Sequence, residues 1–208
     1  MMKNALEQAS YIWTAPFEKG MDFYRIFRKV FSWRPEGEER VMLEIAADST
    51  FAAFVNGRRC PISQVADFPE DRTFSTFLVP GENVIAVEVH YIGDGFLTYQ
   101  PGTPFLKAVI YEGEKLLAKT DGSWKCSASQ EFVSGLCCKV TSQLGFTFAY
   151  DARRALPWKE LSFDDSGWNN AGIYEGCVPW KKMSPRTVPQ LLELPSPCVQ
   201  IVQAGYLR

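Results

Sequence analysis

The chain has 208 residues, 46% of them apolar, with 29 aromatic side chains (15 Phe, 8 Tyr, 6 Trp) and a single histidine. Its 22 basic and 24 acidic side chains leave a net charge of -2 and a pI near 5.6, which excludes the basic face that a nucleic-acid binder needs. The lone His90 excludes sites built on two or three imidazoles, such as the helical zinc-protease motif, and leaves a Ser or Cys nucleophile beside that histidine as the surviving His-dependent chemistry.

The opening MMKNALEQASYIW lacks the apolar stretch of a secretory signal. A cytoplasmic location is expected for this form, and a periplasmic or extracellular one if a leader has been trimmed. The most apolar window, VIAVEVHYI (84–92), is short and broken by Glu88, so no membrane span is expected. NALEQA (4–9) could form a short helix capped by Asn4. FYRIFRKVFSW (23–33) has mixed faces at a spacing of two and reads as a strand. RVMLEIAAD (40–48) follows, then TFAAFVNGRRCPI (50–62), where Asn56-Gly57 predicts a two-residue hairpin turn because both positions tolerate positive φ. TFSTFLVPGENVIAVEVHYI (73–92) reads as strand, Pro80-Gly81 turn and a β-branched strand. FLKAVIYEGEKLLAKT (105–120) predicts a strand pair turning at 112–114; WKCSA (124–128) and VTSQLGFTFAYDAR (140–153) predict further extended segments.

Many short strands with frequent turns and little helix predict an all-β fold, an antiparallel two-sheet β-sandwich. The sandwich is expected over residues 1–178. Residues 179–208, interrupted by Pro185, Pro189, Pro195 and Pro197, are expected to be an extended segment leading toward a downstream domain, with CVQIVQAGYL reading as one more strand. None of the six cysteines (Cys60, Cys126, Cys137, Cys138, Cys177, Cys198) forms a C-x-x-C pair, and free thiols are expected. Neither a metal nor a cofactor is implied.

Three passages carry a family likeness: YIW (11–13) with YRIFRKVF (24–31); AADSTFAAFVNGRR (46–59) with VPGENVIAVEV (79–89); and TDGSWKC (120–126) through YDARRALPWKELSFDDSGWNNA (150–171) to SPRTVPQLLE (184–193). Their order and spacing resemble the N-terminal β-sandwich region of bacterial α-L-rhamnosidases, a galactose-binding-like jelly roll. The resemblance implies that the acids of inverting glycoside hydrolysis lie in an (α/α)6 barrel following the sandwich, a partner domain of the same polypeptide that this chain does not contain. The implied role is a non-catalytic accessory sandwich of a glycoside hydrolase. A stand-alone carbohydrate-binding module, taking rhamnose-containing glycans, and a purely structural interdomain or dimer-forming sandwich stay open.

Sugar rings present C–H faces to aromatic side chains and hydroxyls to polar ones. The segment HYIGDGFLTYQPGTPF (90–105) gathers Tyr91, Asp94, Phe96, Tyr99 and Gln100, the candidate carbohydrate contacts; the competing reading is a long connection pinned by its own aromatics. Asp164-Asp165-Ser166-Gly167-Trp168 reads as a carboxylate-capped turn rather than a calcium loop. Glu44, Asp48, Asp94, Asp151 and Glu175 are the acids to test for a catalytic pair; none is assigned, and His90 reads as a satisfied structural imidazole because no G-x-S-x-G elbow accompanies it.

Overall fold

The computed structural model describes residues 5–18, 20–35, 40–60, 71–74 and 78–174. A single 3-10 turn, Ala5–Gln8, replaces the short helix expected near the start. The strands are β1 (Ile12–Trp13), β2 (Phe23–Trp33), β3 (Val41–Asp48), β4 (Thr50–Val55), β5 (Arg58–Arg59), β6 (Asp71–Phe74) and β7 (Gly81–Tyr91). They continue as β8 (Phe105–Glu112), β9 (Lys115–Lys119), β10 (Lys125–Ala128), β11 (Asn169–Asn170) and β12 (Gly172–Ile173).

Two antiparallel sheets form the all-β sandwich expected from the sequence. One runs β12-β1-β8-β3-β6, with β9 also paired to β8; the other runs β11-β10-β2-β7-β4-β5. Residues two apart on a strand share a face. Phe27 and Phe31 of β2 and Ile85, Val87 and Val89 of β7 therefore meet Leu43, Ile45, Leu106 and Ile110 from the other sheet in one core, closed by Trp13 and Trp124. Asn56 (φ 49) and Gly57 (φ 77) both take the positive φ that a tight hairpin turn demands.

The outer faces are covered as well. Every residue of β3 and β8 is buried, because the N-terminal turn lays Ala5 and Leu6 over Met42, Ala46, Val109 and Tyr111. The segment after β10 wraps the other sheet, setting Trp158 on Ile26 and Ala86. Arg28, 1% exposed, fastens that wrap: its guanidinium donates to the carbonyls of Trp158 (2.6 Å) and Glu160 (2.9 Å) and pairs with Asp165. The mixed faces of β2 thus have a physical reason, since both of its sides are roofed.

The extended segment expected at 140–153 does not form a strand. Isolated bridges join Lys139 to Phe146 and Phe132 to Tyr150, while the Thr141 hydroxyl accepts from the N–H groups of Gln143 and Leu144, both at 3.1 Å, and turns the chain. Asp151 then caps a 3-10 turn, Ala152–Arg154. The proline-interrupted segment 179–208, with the strand expected at its end, and Cys177, Trp180 and Cys198 lie outside the described residues.

Candidate functional site

The loop that leaves β7 is held from within. Phe96 and Tyr99 exchange backbone hydrogen bonds at 3.0 Å, closing a small hairpin. The Tyr99 ring is 2% exposed; its hydroxyl donates to Asp48 Oδ1 at 2.7 Å and accepts from the Ser49 hydroxyl at 2.8 Å. Ser49 Oγ in turn accepts from the N–H of Ile92 at 2.9 Å. Tyr91 is buried against Trp13 and donates its hydroxyl to the carbonyl of Gly102 at 2.7 Å. Burial, reinforced by Asp48, pushes the Tyr91 phenol up to about 12 and raises Tyr99 further. Both stay protonated donors.

Of the five candidate contacts, then, Tyr91 and Tyr99 have covered rings. Asp94 pairs with Lys139 at 2.7 Å, Phe96 is half-buried beside Gly145, and Gln100 is exposed. Gly93 makes the loop possible: at φ +70, an added Cβ would lie 2.7 Å from the carbonyl oxygen of Gly20 and 2.8 Å from Met21 Cα.

His90 sits beneath the wrap on the outer face of its sheet. Its ring stacks on Tyr24 (centroids 4.0 Å apart, 3° between planes), and Tyr24 stacks on Phe132 at 4.8 Å. Its Nε2 lies 3.0 Å from Asp22 Oδ1. Asp22, 1% exposed, also accepts from the N–H of Gly135 at 3.0 Å. Burial lowers the His90 pKa, partly offset by Asp22. A neutral imidazole donating from Nε2 to a carboxylate is a structural post.

Two residues before His90 on β7, Glu88 faces the same roof and accepts from the Ser129 hydroxyl at 2.9 Å. Burial, with Glu131 adding to it, pushes its carboxyl up to about 7 against the pull of Ser129 and Lys159. Glu131 is 2% exposed; its Oε1 accepts from the Trp158 indole at 3.1 Å, and its Oε2 has no hydrogen-bond partner among the described residues. No pattern in the sequence links these two acids. The signal is Glu88 itself, an acid interrupting the most apolar strand.

The acids singled out from sequence have structural duties. Glu44, 1% exposed, accepts from the Tyr111 hydroxyl at 2.7 Å. Asp48 holds Tyr99, Asp94 holds Lys139, and Asp151 caps its turn while forking onto Arg153. Glu175 lies outside the described residues. Asp164 accepts from the N–H of Ser166 at 2.9 Å, which makes 164–168 the capped turn expected. Among the described residues no group of three metal-ligating side chains gathers.

A cleft of about 320 Å³ opens elsewhere, where the β1–β2 connection passes the β10–β11 edge; Glu18, Arg25, Ser127, Trp168 and Asn169 line it. No protein-family model and no curated protein matches the chain. Among solved structures, a family 78 rhamnosidase from Bacillus sp. GL1 superposes with a TM-score of 0.80 at 30% identity, over 91% of this chain and 20% of that one. The chain is similar to a β-sandwich region of α-L-rhamnosidases. The Aspergillus terreus α-L-rhamnosidase follows with a TM-score of 0.66 at 22% identity, over 82% of this chain and 21% of that one. A Pleurotus ostreatus lectin, solved with GalNAc, shares the fold at a TM-score of 0.53 and 19% identity, over 79% of this chain and 42% of that one. This rhamnosidase-like β-sandwich therefore spans about a fifth of the length of the rhamnosidases it matches.

Proposed function

We propose that this chain is the non-catalytic accessory sandwich of an α-L-rhamnosidase-like glycoside hydrolase, serving a catalytic domain of the same polypeptide. The observation that carries the reading is the 30% identity with the Bacillus rhamnosidase over 91% of this chain and only 20% of that enzyme. The structural duties of the acids support it, since glycoside hydrolysis needs two carboxyl groups facing one bond across an open cleft. Glu44, Asp48, Glu88 and Glu131 instead lie under covering segments.

In this reading the partner domain would dock over the exposed apolar side chains of the loop at 94–99 and the meander at 132–150. Leu97, Leu136, Leu144 and Phe148 are 76%, 64%, 56% and 67% exposed there, an apolar display typical of interfaces. Rhamnose-containing glycans would then be substrates of the whole protein.

The decisive experiment assays the purified 208-residue chain on an aryl α-L-rhamnoside beside the full-length polypeptide. The expected result is turnover by the latter only. Turnover by this chain that is lost when one of its acids is changed overturns the reading.

A further inference from the structure

The cleft between the β1–β2 connection and the β10–β11 edge has the composition of a sugar subsite. Arg25, 6% exposed, forks onto Glu18 through Nε at 2.6 Å and Nη2 at 2.8 Å. Its Nη1 is taken up by the carbonyl of Tyr24 at 2.8 Å and by the Ser134 hydroxyl at 3.3 Å. The guanidinium is therefore neutralised and largely spent, so an anionic ligand gains little from it. Glu18 is different. Its side chain is 37% exposed, and a carboxylate offers about four acceptor positions, of which Arg25 takes two and the Thr14 hydroxyl, at 3.4 Å, a third. What remains is a fixed, polarised acceptor on the cleft wall.

β11 contributes the exposed amide of Asn169, held in register opposite Cys126, and Trp168, immediately before that strand, is half-buried with Phe163 edge-on to its indole at 5.4 Å. Ser127 adds a hydroxyl. A lining that combines a tryptophan, a planar amide, a carboxylate and a hydroxyl suits a ligand with apolar C–H faces and several hydroxyl groups. The volume of about 320 Å³ lies at the small end of ligand sites, which run from about 300 to 1,000 Å³, and so favours a single ring over a chain of them.

We infer that this cleft, and not the loop at 90–105, binds one neutral pyranose ring through Glu18, Trp168 and Asn169. The inference rests on reading the chain as carbohydrate-associated, and its test separates the two. Gly167 lines the cleft and an added Cβ there meets nothing within 4 Å, so Gly167→Leu adds bulk at the cleft wall without disturbing the core. Saturation-transfer NMR and titration calorimetry would use free L-rhamnose, D-galactose and N-acetylgalactosamine with the 208-residue chain. At least one sugar is expected to bind in the millimolar range, weakened tenfold or more by Gly167→Leu and by Asn169→Ala and unchanged by Phe96→Ala, with thermal unfolding of all three variants checked in parallel. Binding that survives Gly167→Leu but is lost in Phe96→Ala overturns the cleft assignment and leaves sugar binding standing. Absence of binding by every sugar overturns both, while the accessory role is still decided by the rhamnoside assay.

Discussion

The Tyr99 hydroxyl donates to Asp48 Oδ1 at 2.7 Å, and that bond ties the middle of a long surface loop to the last residue of β3. The loop's aromatics thus act as anchors. Tyr99→Phe keeps the ring and removes the hydroxyl, leaving Asp48 and Ser49 without this partner in a buried place, at a cost of about 1–3 kcal/mol. For a chain of this size that corresponds to a lowering of Tm by roughly 2–4 °C per kcal/mol. Differential scanning calorimetry would show it. An unchanged Tm would mean that water replaces the hydroxyl and that the loop is not anchored there.

The strands and the hairpin at Asn56-Gly57 were legible in the sequence because spacing and turn chemistry are local. So was the turn at 164–168. What spacing could not show is the second layer of cover. FYRIFRKVFSW reads as mixed on both sides because Arg28 is buried by residues 130 or more positions later in the chain. Separation along the chain also hid the Glu88–Glu131 pair and the cleft, whose walls come from 14–18, 25, 126–128 and 167–169. The loop at 90–105 is rich in aromatics, and the burial of Tyr91 and Tyr99 is a tertiary fact that composition does not contain.

Arg28 leads to a second prediction. Its planar fork holds two carbonyls and Asp165 at once, which a lysine ammonium at the end of a flexible stem cannot reproduce. Arg28→Lys is expected to cost about 3 kcal/mol or more, the range for breaking a buried charged network. It should also release the wrap at 155–168, giving new cleavage sites under limited proteolysis. A variant that resists protease like the parent would show that Trp158 packing alone holds the segment.

Gly93 is the third. Its φ of +70 and the 2.7 Å approach of the Gly20 carbonyl leave no room for a side chain, so Gly93→Ala must shift backbone and is expected to lose more than about 1 kcal/mol. Gly167→Ala, in open space, is the matched control and should stay within about 0.5 kcal/mol of the parent. Urea denaturation of the two variants side by side checks both. Equal midpoints would contradict the crowding at Gly93.

The pH dependence of stability follows from two neighbours on β7 with opposite signs. Burial holds the Glu88 carboxyl at about 7, above its ordinary 4.5. Between those values the folded chain keeps a proton that the unfolded chain has lost. Stability contributed by Glu88 is therefore full below about 4.5 and is lost as the pH rises to about 7, by up to roughly 3 kcal/mol. His90 runs the other way: burial lowers it below its ordinary 6.5, so its contribution is present above 6.5 and falls away with acid. Glu88→Gln removes the first limb only. Its denaturation midpoint is expected to exceed the parent's at pH 8 and to match it near pH 5, leaving a profile that declines only on the acidic side. Parallel profiles for the two proteins between pH 5 and 8 would show that Glu88 ionises freely and that the roof over it admits water.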